Sequence, residues 1–306
     1  MTYEEKLARF NEHIEAGGKV EANDWMPDDY RRGVLKFIEM HANSEIMGAL
    51  PERECLPSAP TLQRKMSLCA KIQDEVGHAQ LLYRVAEDLG KSRVAMYEDL
   101  VTGKSKFHNV FHYPVKHWGD VAIIGWLIDG AALVTQAALL DSSYAPYTRV
   151  LKRICAEEQL HLRHGEDITL ELASGTDEQR EMFQEALNRW WLAIIHFFGP
   201  RSNVEKDLLL RWKVKTRTNE DLRNEFLDRY VPKIYELGFT IPAPVPVQDD
   251  DGHWVLVDDE IDWAPLDSIK RNEGPETARR LGARREMYES HRWVREALEE
   301  PAVHAA

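Results

Sequence analysis

The sequence KIQDEVGHAQ, residues 71–80, decides the fold, because it places a glutamate and a histidine three positions apart in a helical stretch. In an α-helix, residues three apart lie on one face, so Glu75 and His78 can direct a carboxylate and an imidazole toward the same ion. The sequence AEEQLHLRHG, residues 156–165, repeats this spacing. One such pair in an acid-rich chain has little weight, but two pairs indicate helices built around a shared polar centre.

A single acid in another helical stretch precedes each pair. Glu45 comes 30 residues before the first pair, and Asp129 comes 29 residues before the second, which is Glu158 with His161. Asp129 lies in the middle of VAIIGWLIDGAALVTQAALL, residues 121–140. An unpaired carboxylate in a core costs several kcal/mol or stays protonated. A bound metal would account for its burial.

The pattern therefore predicts an all-α, ferritin-like four-helix bundle with a dinuclear metal site. Carboxylate and imidazole donors suit iron or manganese, whereas structural zinc favours cysteine, and we expect two iron ions. Two helices with ExxH and two with one acid each are typical of di-iron carboxylate bundles. Ordinary roles stay open: an exposed acid, a hydrogen-bonded core aspartate or surface i,i+3 pairs. The predicted ligands are Glu45, Glu75, His78, Asp129, Glu158 and His161.

Charged neighbours of the ExxH pairs suggest supporting roles. Asp74 and Glu157 each precede a glutamate of a pair, and we expect them to accept hydrogen bonds from the outer nitrogens of the ligating histidines. Lys71 lies one turn before Glu75 on the same face, and Glu52 is the candidate to pair with it. The alternatives are solvated acids and a lysine whose stem lies along the surface.

The remaining histidines are harder to interpret. His164 follows the second pair by one turn, but its angle takes it off the ligand face, so we interpret it as non-ligating. His41, one turn before the first acid, stays open. The aromatic loop holds His108, His112 and His117, which we interpret as polar surface.

Composition narrows the class of protein. The 306 residues are 43% hydrophobic and carry a formal charge of −13, which argues against nucleic-acid binding. Three cysteines without a CxxC pair and a charged N-terminal stretch, MTYEEKLARFNEH, favour the cytoplasm over export. Residues 121–140 are long enough to span a bilayer, but the central Asp129 favours a buried bundle helix.

The chain divides into a helical part, 1–238, and a C-terminal extension, 239–306, that we expect to pack on the bundle or on a partner. The extension begins with a Pro-rich acidic stretch that predicts a short hairpin. The expected helices cover residues 27–50, 60–90, 92–102, 118–142, 146–175, 176–198, a broken pair in 204–237, and 276–298.

At these residues the sequence resembles the catalytic-subunit family of phenylacetyl-CoA 1,2-epoxidases, multicomponent oxygenases of aerobic phenylacetate breakdown. The resemblance runs from Asp24 through EIDW to WVREA in the last helix, and so covers most of the chain. It includes the aspartate in place of a fourth glutamate ligand, and Glu52 and Lys71, which match the family's catalytic pattern. The motifs that carry it are SEIMG, KIQDEVGHAQLLY, GWLIDGAALVTQ, SSYAPY and CAEEQLHLRHGE.

The resemblance implies that one atom of dioxygen is added across the aromatic ring of phenylacetyl-CoA while the other leaves as water. It implies two iron ions in this chain. Electrons would come from a separate reductase that carries FAD and an iron–sulfur cluster and uses NADPH, because this chain lacks GxGxxG and a ferredoxin-like cysteine run. Further partners would be a small accessory subunit and a homologous non-catalytic helical subunit.

Coenzyme A would need a local basic patch on this acidic protein. The run RWKVKTRTN, residues 211–219, is the candidate. Solvated lysines and a helix-capping asparagine are the alternative interpretation. The expected contacts are Lys213, Lys215 and Asn219, with Lys36 and Lys106 as additions.

Two other functions stay open at this point. The segment KSKFHNVFH and residues 201–210 differ from the family pattern, so a di-iron oxidase of another acyl-CoA or of a hydrocarbon is one alternative. A non-catalytic ferritin-like protein, either iron-binding or a scaffold, is the other. Retention of all six ligands argues against a scaffold, and the long extension argues against a storage cage.

Overall fold

Four long helical elements, of 28, 26, 22 and 29 residues, form the centre of the protein in the computed structural model, which describes residues 1–299. They confirm the predicted all-α, ferritin-like bundle. The third of them consists of α5, a π-helical turn at Ile124–Ile128, and α6. The helices are α1 Tyr3–Glu15, α2 Asp28–Cys55, α3 Leu62–Glu87, α4 Arg93–Val101, α5 Trp118–Ile123, α6 Asp129–Leu139, α7 Ala145–Ala173, α8 Asp177–Phe198, α9 Leu208–Arg211, α10 Asn219–Glu236, α11 Ala264–Lys270, α12 Thr277–Ser290 and α13 Arg292–Glu299.

Helix α2 passes through Pro51, so the predicted end at Leu50 is wrong. Proline inside a helix removes one backbone hydrogen bond and costs about 3 kcal/mol. Pro51, Glu52 and Cys55 are all buried, and their packing holds the last turn in helical form. The extra turn carries Glu52 into the centre of the bundle.

The predicted buried helix of residues 118–142 contains a local change in pitch. The backbone N–H of Asp129 donates to the carbonyl of Ile124, five residues back, which defines the π-helical turn. A π turn shifts the angular position of every residue after it and is common at functional sites. By length and composition, Trp118–Leu139 could cross a membrane, but 78% of its most apolar window is buried. Contacts with α7, α8 and α10 account for that burial.

The polar centre lies between two apolar clusters. Along α7, Leu151 and Ile154 belong to one cluster, and Ile168 and Leu172 belong to the other. Glu158 and His161 fall between the two clusters in sequence. On α3, the ligand residues likewise fall between Leu68 of one cluster and Leu82 of the other. Each polar segment is thus enclosed by apolar packing above and below.

The chain after Gly238 packs along the bundle. The predicted hairpin is present as β1 Val247–Gln248 and β2 Trp254–Val255, which pair antiparallel. The predicted last helix is broken at His291, between α12 and α13. Residues 300–306 of the predicted extension lie outside the described residues. Contacts that attach the extension include His112 Nδ1 to Thr277 Oγ1 at 2.5 Å, Trp191 Nε1 to the Pro244 carbonyl at 2.8 Å, and Arg280 to the Phe111 carbonyl at 2.6 Å.

Replacing Gly165 by alanine should destabilise the protein. A Cβ at Gly165 would overlap the carbonyl carbon of Gly125 in the π turn, and backbone atoms cannot move aside as a side chain does. Overpacking of this kind costs about 1–3 kcal/mol, so a clear fall in melting temperature is expected by calorimetry. Gly282→Ala in α12 is the control, because nothing lies within 4 Å of its Cβ position. An equal fall for both variants would contradict this account.

Candidate metal centre

The predicted metal ligands meet in the middle of the bundle, and all of them are buried. One group of donor atoms, all within 4.8 Å of one another, comes from Glu45, Glu75, His78 and Glu158. A second group, within the same limit, comes from Asp129, Glu158 and His161. Glu158 belongs to both groups. The arrangement is that of two adjacent cation positions that share one carboxylate.

The two histidines are oriented by acids at their outer nitrogens. His78 Nε2 lies 2.9 Å from Glu157 Oε2, and His161 Nε2 lies 3.1 Å from Asp74 Oδ2. These are the acids that the sequence predicts, and each reaches across to the histidine of the other helix. The inner nitrogens face the shared carboxylate, with His78 Nδ1 3.1 Å and His161 Nδ1 3.2 Å from Glu158. Such outer partners fix the ring orientation of a ligating histidine.

Lys71 lies inside the cluster, and its predicted partner is correct. Its Nζ is 2.5 Å from Glu52 Oε1 and equally close to Asp129 Oδ2. Burial opposes the charge of Lys71, but Asp129 and Glu52 raise its pKa well above the ordinary value. The ammonium thus neutralises part of the carboxylate charge at this end of the cluster.

The carboxylates and imidazoles strongly perturb one another. Burial and the neighbouring carboxylates of Glu158 and Glu45 raise the pKa of Glu75 well above its ordinary value. Burial also works against charge on Glu158, but hydrogen bonds from His161 and His78 outweigh it and lower its pKa to about 2. Burial likewise opposes the charge of His78, yet Glu158 and Glu45 raise its pKa to about 10. A bound cation would relieve this mutual repulsion of the carboxylates, because metal binding favours the deprotonated form of its ligands.

The donor set fits metal ions. Five buried carboxylates, four from the donor groups and that of Glu52, face two imidazoles and one lysine, so the cluster has an excess of negative charge. His78 Nδ1 is buried and lies 3.1 Å from Glu158 Oε1 and 3.8 Å from Glu45 Oε2. Once deprotonated, an inner nitrogen in that position is the usual donor of a ligating histidine. The buried Glu and His groups can therefore bind metal.

His41, which the sequence left open, supports the first ligand. Its Nε2 lies 2.8 Å from Glu45 Oε1, and its Nδ1 lies 2.7 Å from the Tyr147 hydroxyl. When the hydroxyl donates to Nδ1, the Nε2–H can donate to the carboxylate. Tyr147 was not predicted from the sequence as a supporting residue. In the sequence, this role of Tyr147 is indicated just by its position after a proline at the start of α7.

A cavity of about 300 Å³ joins the cluster of predicted ligands to the surface. Its volume is at the lower end of small-molecule sites. The cavity floor includes Glu45, Glu75, Asp129 and Glu158, and its apolar wall includes Phe37, Phe111, Ile124, Ile128, Phe197 and Phe198. Thr216 Oγ1 donates to the carbonyl of Ala138, nine residues past Asp129 along α6, and marks the end of the cavity away from Asp129. The residues of the lining at this end are Lys215, Thr216, Arg217 and Asn219.

Of the predicted coenzyme A contacts, the structure brings Lys215 and Asn219 to this cavity. Lys213 points elsewhere, since its Nζ lies 3.2 Å from Glu15 Oε2. Lys106 binds the side chain of Asn272 at 3.1 Å, and Lys36 is exposed on α2; neither lines the cavity. The cap of α10 is Thr218, so the asparagine is not needed for that purpose.

The aromatic loop is a wall of the interior, so its interpretation as polar surface is wrong for two histidines. His112 is buried and stacks on Phe107 with ring centroids 4.0 Å apart. His108 lines the cavity and packs on Phe197 with centroids 3.9 Å apart. A run of aromatic residues between two helices was the signal for burial here.

Removing Glu158 should abolish stable metal binding, because this carboxylate belongs to both donor groups. After anaerobic loading with ferrous iron and gel filtration, metal analysis should find about two ions per parent chain and fewer than one in Glu158→Ala. His164→Ala is the matched control, since that ring contacts Arg64 rather than the cluster. Two ions in Glu158→Ala would refute the site.

Two comparisons with known proteins bear on the whole chain. The family described as phenylacetic acid catabolic protein matches residues 3–293. The chain is also similar to one of the subunits of the 1,2-phenylacetyl-CoA epoxidase of Escherichia coli (strain K12). The two are 42% identical over 300 residues, and the match covers 97% of this chain and 96% of that protein. This chain belongs to the phenylacetic acid catabolic protein family.

Proposed function

We propose that this chain is the oxygenase component of a phenylacetyl-CoA 1,2-epoxidase in phenylacetate catabolism. The observation that carries the proposal is the cavity that connects the buried cluster to Lys215 and Asn219. It combines a metal-binding floor, an aromatic wall and a basic end in one space. The relative named for 1,2-phenylacetyl-CoA epoxidase supports the same substrate.

The side chains that line the cavity suit an arylacetyl thioester with its ring toward the ligand cluster and its phosphates toward Lys215. Phe37, Phe111 and Phe197 can hold an aromatic ring near the cluster by apolar and edge contacts. The phosphates of coenzyme A would then meet Lys215 and Arg217, whose present partners are Asp207 and Glu225. Phosphate would replace these carboxylates by charge-assisted hydrogen bonds.

Each polar residue of the centre has a defined task in this proposal. Two iron ions held by the six ligands would supply the oxygen activation that amino-acid side chains cannot. His41 holds Glu45 in place, and the outer acids hold the ligating histidines. Lys71 and Glu52 keep a proton and a positive charge beside Asp129. The aromatic wall excludes water from the reacting ring.

The reaction needs two electrons from outside, so we propose that the chain works in a complex. The Escherichia coli relative is named as one of the subunits of its epoxidase, which indicates a multi-subunit enzyme. The partners implied by the resemblance are a reductase with FAD, an iron–sulfur cluster and NADPH, a small accessory subunit, and a homologous helical subunit. Exposed apolar residues on α3 and α7, such as Met66 and Leu160, are consistent with a partner surface. A cytoplasmic location fits the same picture.

Replacing Asp129 by alanine should abolish epoxidation. With partner subunits, reductase, NADPH and dioxygen, the parent chain should convert phenylacetyl-CoA to a product 16 mass units heavier, detected by mass spectrometry. The variant loses a metal ligand and leaves Lys71 without one of its two closest carboxylates. If the parent chain binds two iron ions but does not convert phenylacetyl-CoA, the proposed substrate is wrong. A parent that holds no metal would favour a non-catalytic scaffold.

Replacing Lys215 by alanine should raise KM for phenylacetyl-CoA roughly tenfold with little change in kcat, because a lost hydrogen bond to a remote phosphate weakens binding without touching the ring. Lys213→Ala is the control two residues away, since its side chain turns toward Glu15. Steady-state kinetics with both variants make the comparison. If Lys213→Ala and Lys215→Ala raise KM equally, the phosphates do not bind at Lys215.

A further inference from the structure

His108 is a half-buried ring in the wall of the cavity. Its Nδ1 is buried and makes no well-formed hydrogen bond among residues 1–299, although the ring lies beside the backbone of Phe197. An unsatisfied polar atom in an interior is destabilising unless a ligand or water completes it, and so calls for an explanation. The ring lines the cavity beside the cluster of predicted ligands, so a molecule bound there would meet the imidazole.

The backbone holds His108 at the depth of the cluster. Its N–H donates to Ser44 Oγ at 2.9 Å, and Ser44 directly precedes the predicted ligand Glu45. Phe111, one turn later, lies 3.1 Å from the Cβ position of Gly48, the next turn of α2. The loop is therefore fixed against α2 at the level where the reacting part of a substrate would lie.

A second histidine of the same loop has a purely structural role by contrast. His112 Nδ1 lies 2.5 Å from Thr277 Oγ1, and this ring does not line the cavity. His108, in contrast, lines the cavity, and its Nδ1 makes no well-formed hydrogen bond within the described part of the chain. Burial lowers the pKa of His108 to about 3, so the ring is neutral at physiological pH. A neutral imidazole donates from one nitrogen and accepts at the other.

We propose that His108 determines acyl specificity by hydrogen bonding to an oxygen atom of the acyl group in the cavity. This inference rests on the proposed function. The oxygen is either the thioester carbonyl or a hydroxyl on the aromatic ring, and both are acyl oxygens that a neutral imidazole recognises. Packing against Phe197 sets the plane of the imidazole, so an oxygen in the wrong place finds no partner.

The test is a binding experiment without reductant, in which no turnover occurs. The full chain, co-purified with its partner subunits, is titrated with phenylacetyl-CoA, 4-hydroxyphenylacetyl-CoA and S-(2-phenylethyl)-CoA, a thioether without the carbonyl. His108→Phe keeps an aromatic ring but loses the hydrogen bond. His108→Asn keeps hydrogen-bonding groups but loses the ring, and it serves as the matched variant.

A carbonyl contact predicts that His108→Phe weakens both thioesters about tenfold and leaves the thioether unchanged. A ring-hydroxyl contact predicts that only 4-hydroxyphenylacetyl-CoA is weakened. In either case His108→Asn should recover part of the loss. Equal change, or no change, for all three ligands in both variants would overturn the proposal. If the parent binds no thioester more tightly than free coenzyme A, the proposed function itself fails.

Discussion

Five carboxylates buried together in an apolar bundle, four predicted ligands and Glu52, are the constraint on which the rest of the structure depends. Removing even one such charge from water costs several kcal/mol unless a cation or hydrogen bonds compensate it. Lys71 and the two imidazoles supply part of that compensation, and bound cations would supply the remainder. Because each ligand must be held within a few ångströms of the others, the side chains project from long packed helices rather than from loops.

The two halves of the chain solve this problem with the same ligand order, an acid followed by ExxH, and they are joined through their outer acids. Glu157 of α7 contacts His78 of α3, and Asp74 of α3 contacts His161 of α7. The acid at the outer nitrogen of each histidine thus comes from the other helix. The two halves therefore depend on each other for ligand geometry, and one repeat alone would leave its imidazole without an acid at the outer nitrogen.

Spacing along a helix could be read from the sequence, and it was enough to place six buried side chains in one cluster, together with Glu52 beside Lys71. The N-terminal helix α1 was missed, although Thr2 and Glu5 form a capping box. Pro51 was misread because packing outweighed local propensity. The contact of Lys71 with Asp129 and the role of Tyr147 were not predictable, since each joins residues far apart in the chain through tertiary packing alone.

The lining of the cavity combines three kinds of side chain. It includes the charged ligands Glu45, Glu75, Asp129 and Glu158, aromatic side chains such as Phe111 and Phe197, and the basic Lys215 and Arg217. A molecule with one apolar and one anionic end can enter in a single orientation, because the reverse would bury phosphate against carboxylates. On a protein with a formal charge of −13, our proposal therefore places the anionic end of the thioester beside Lys215 and Arg217. In the proposed complex these two residues set selectivity for the anion, and side chains beside the ligand cluster, such as His108, set selectivity for the acyl group.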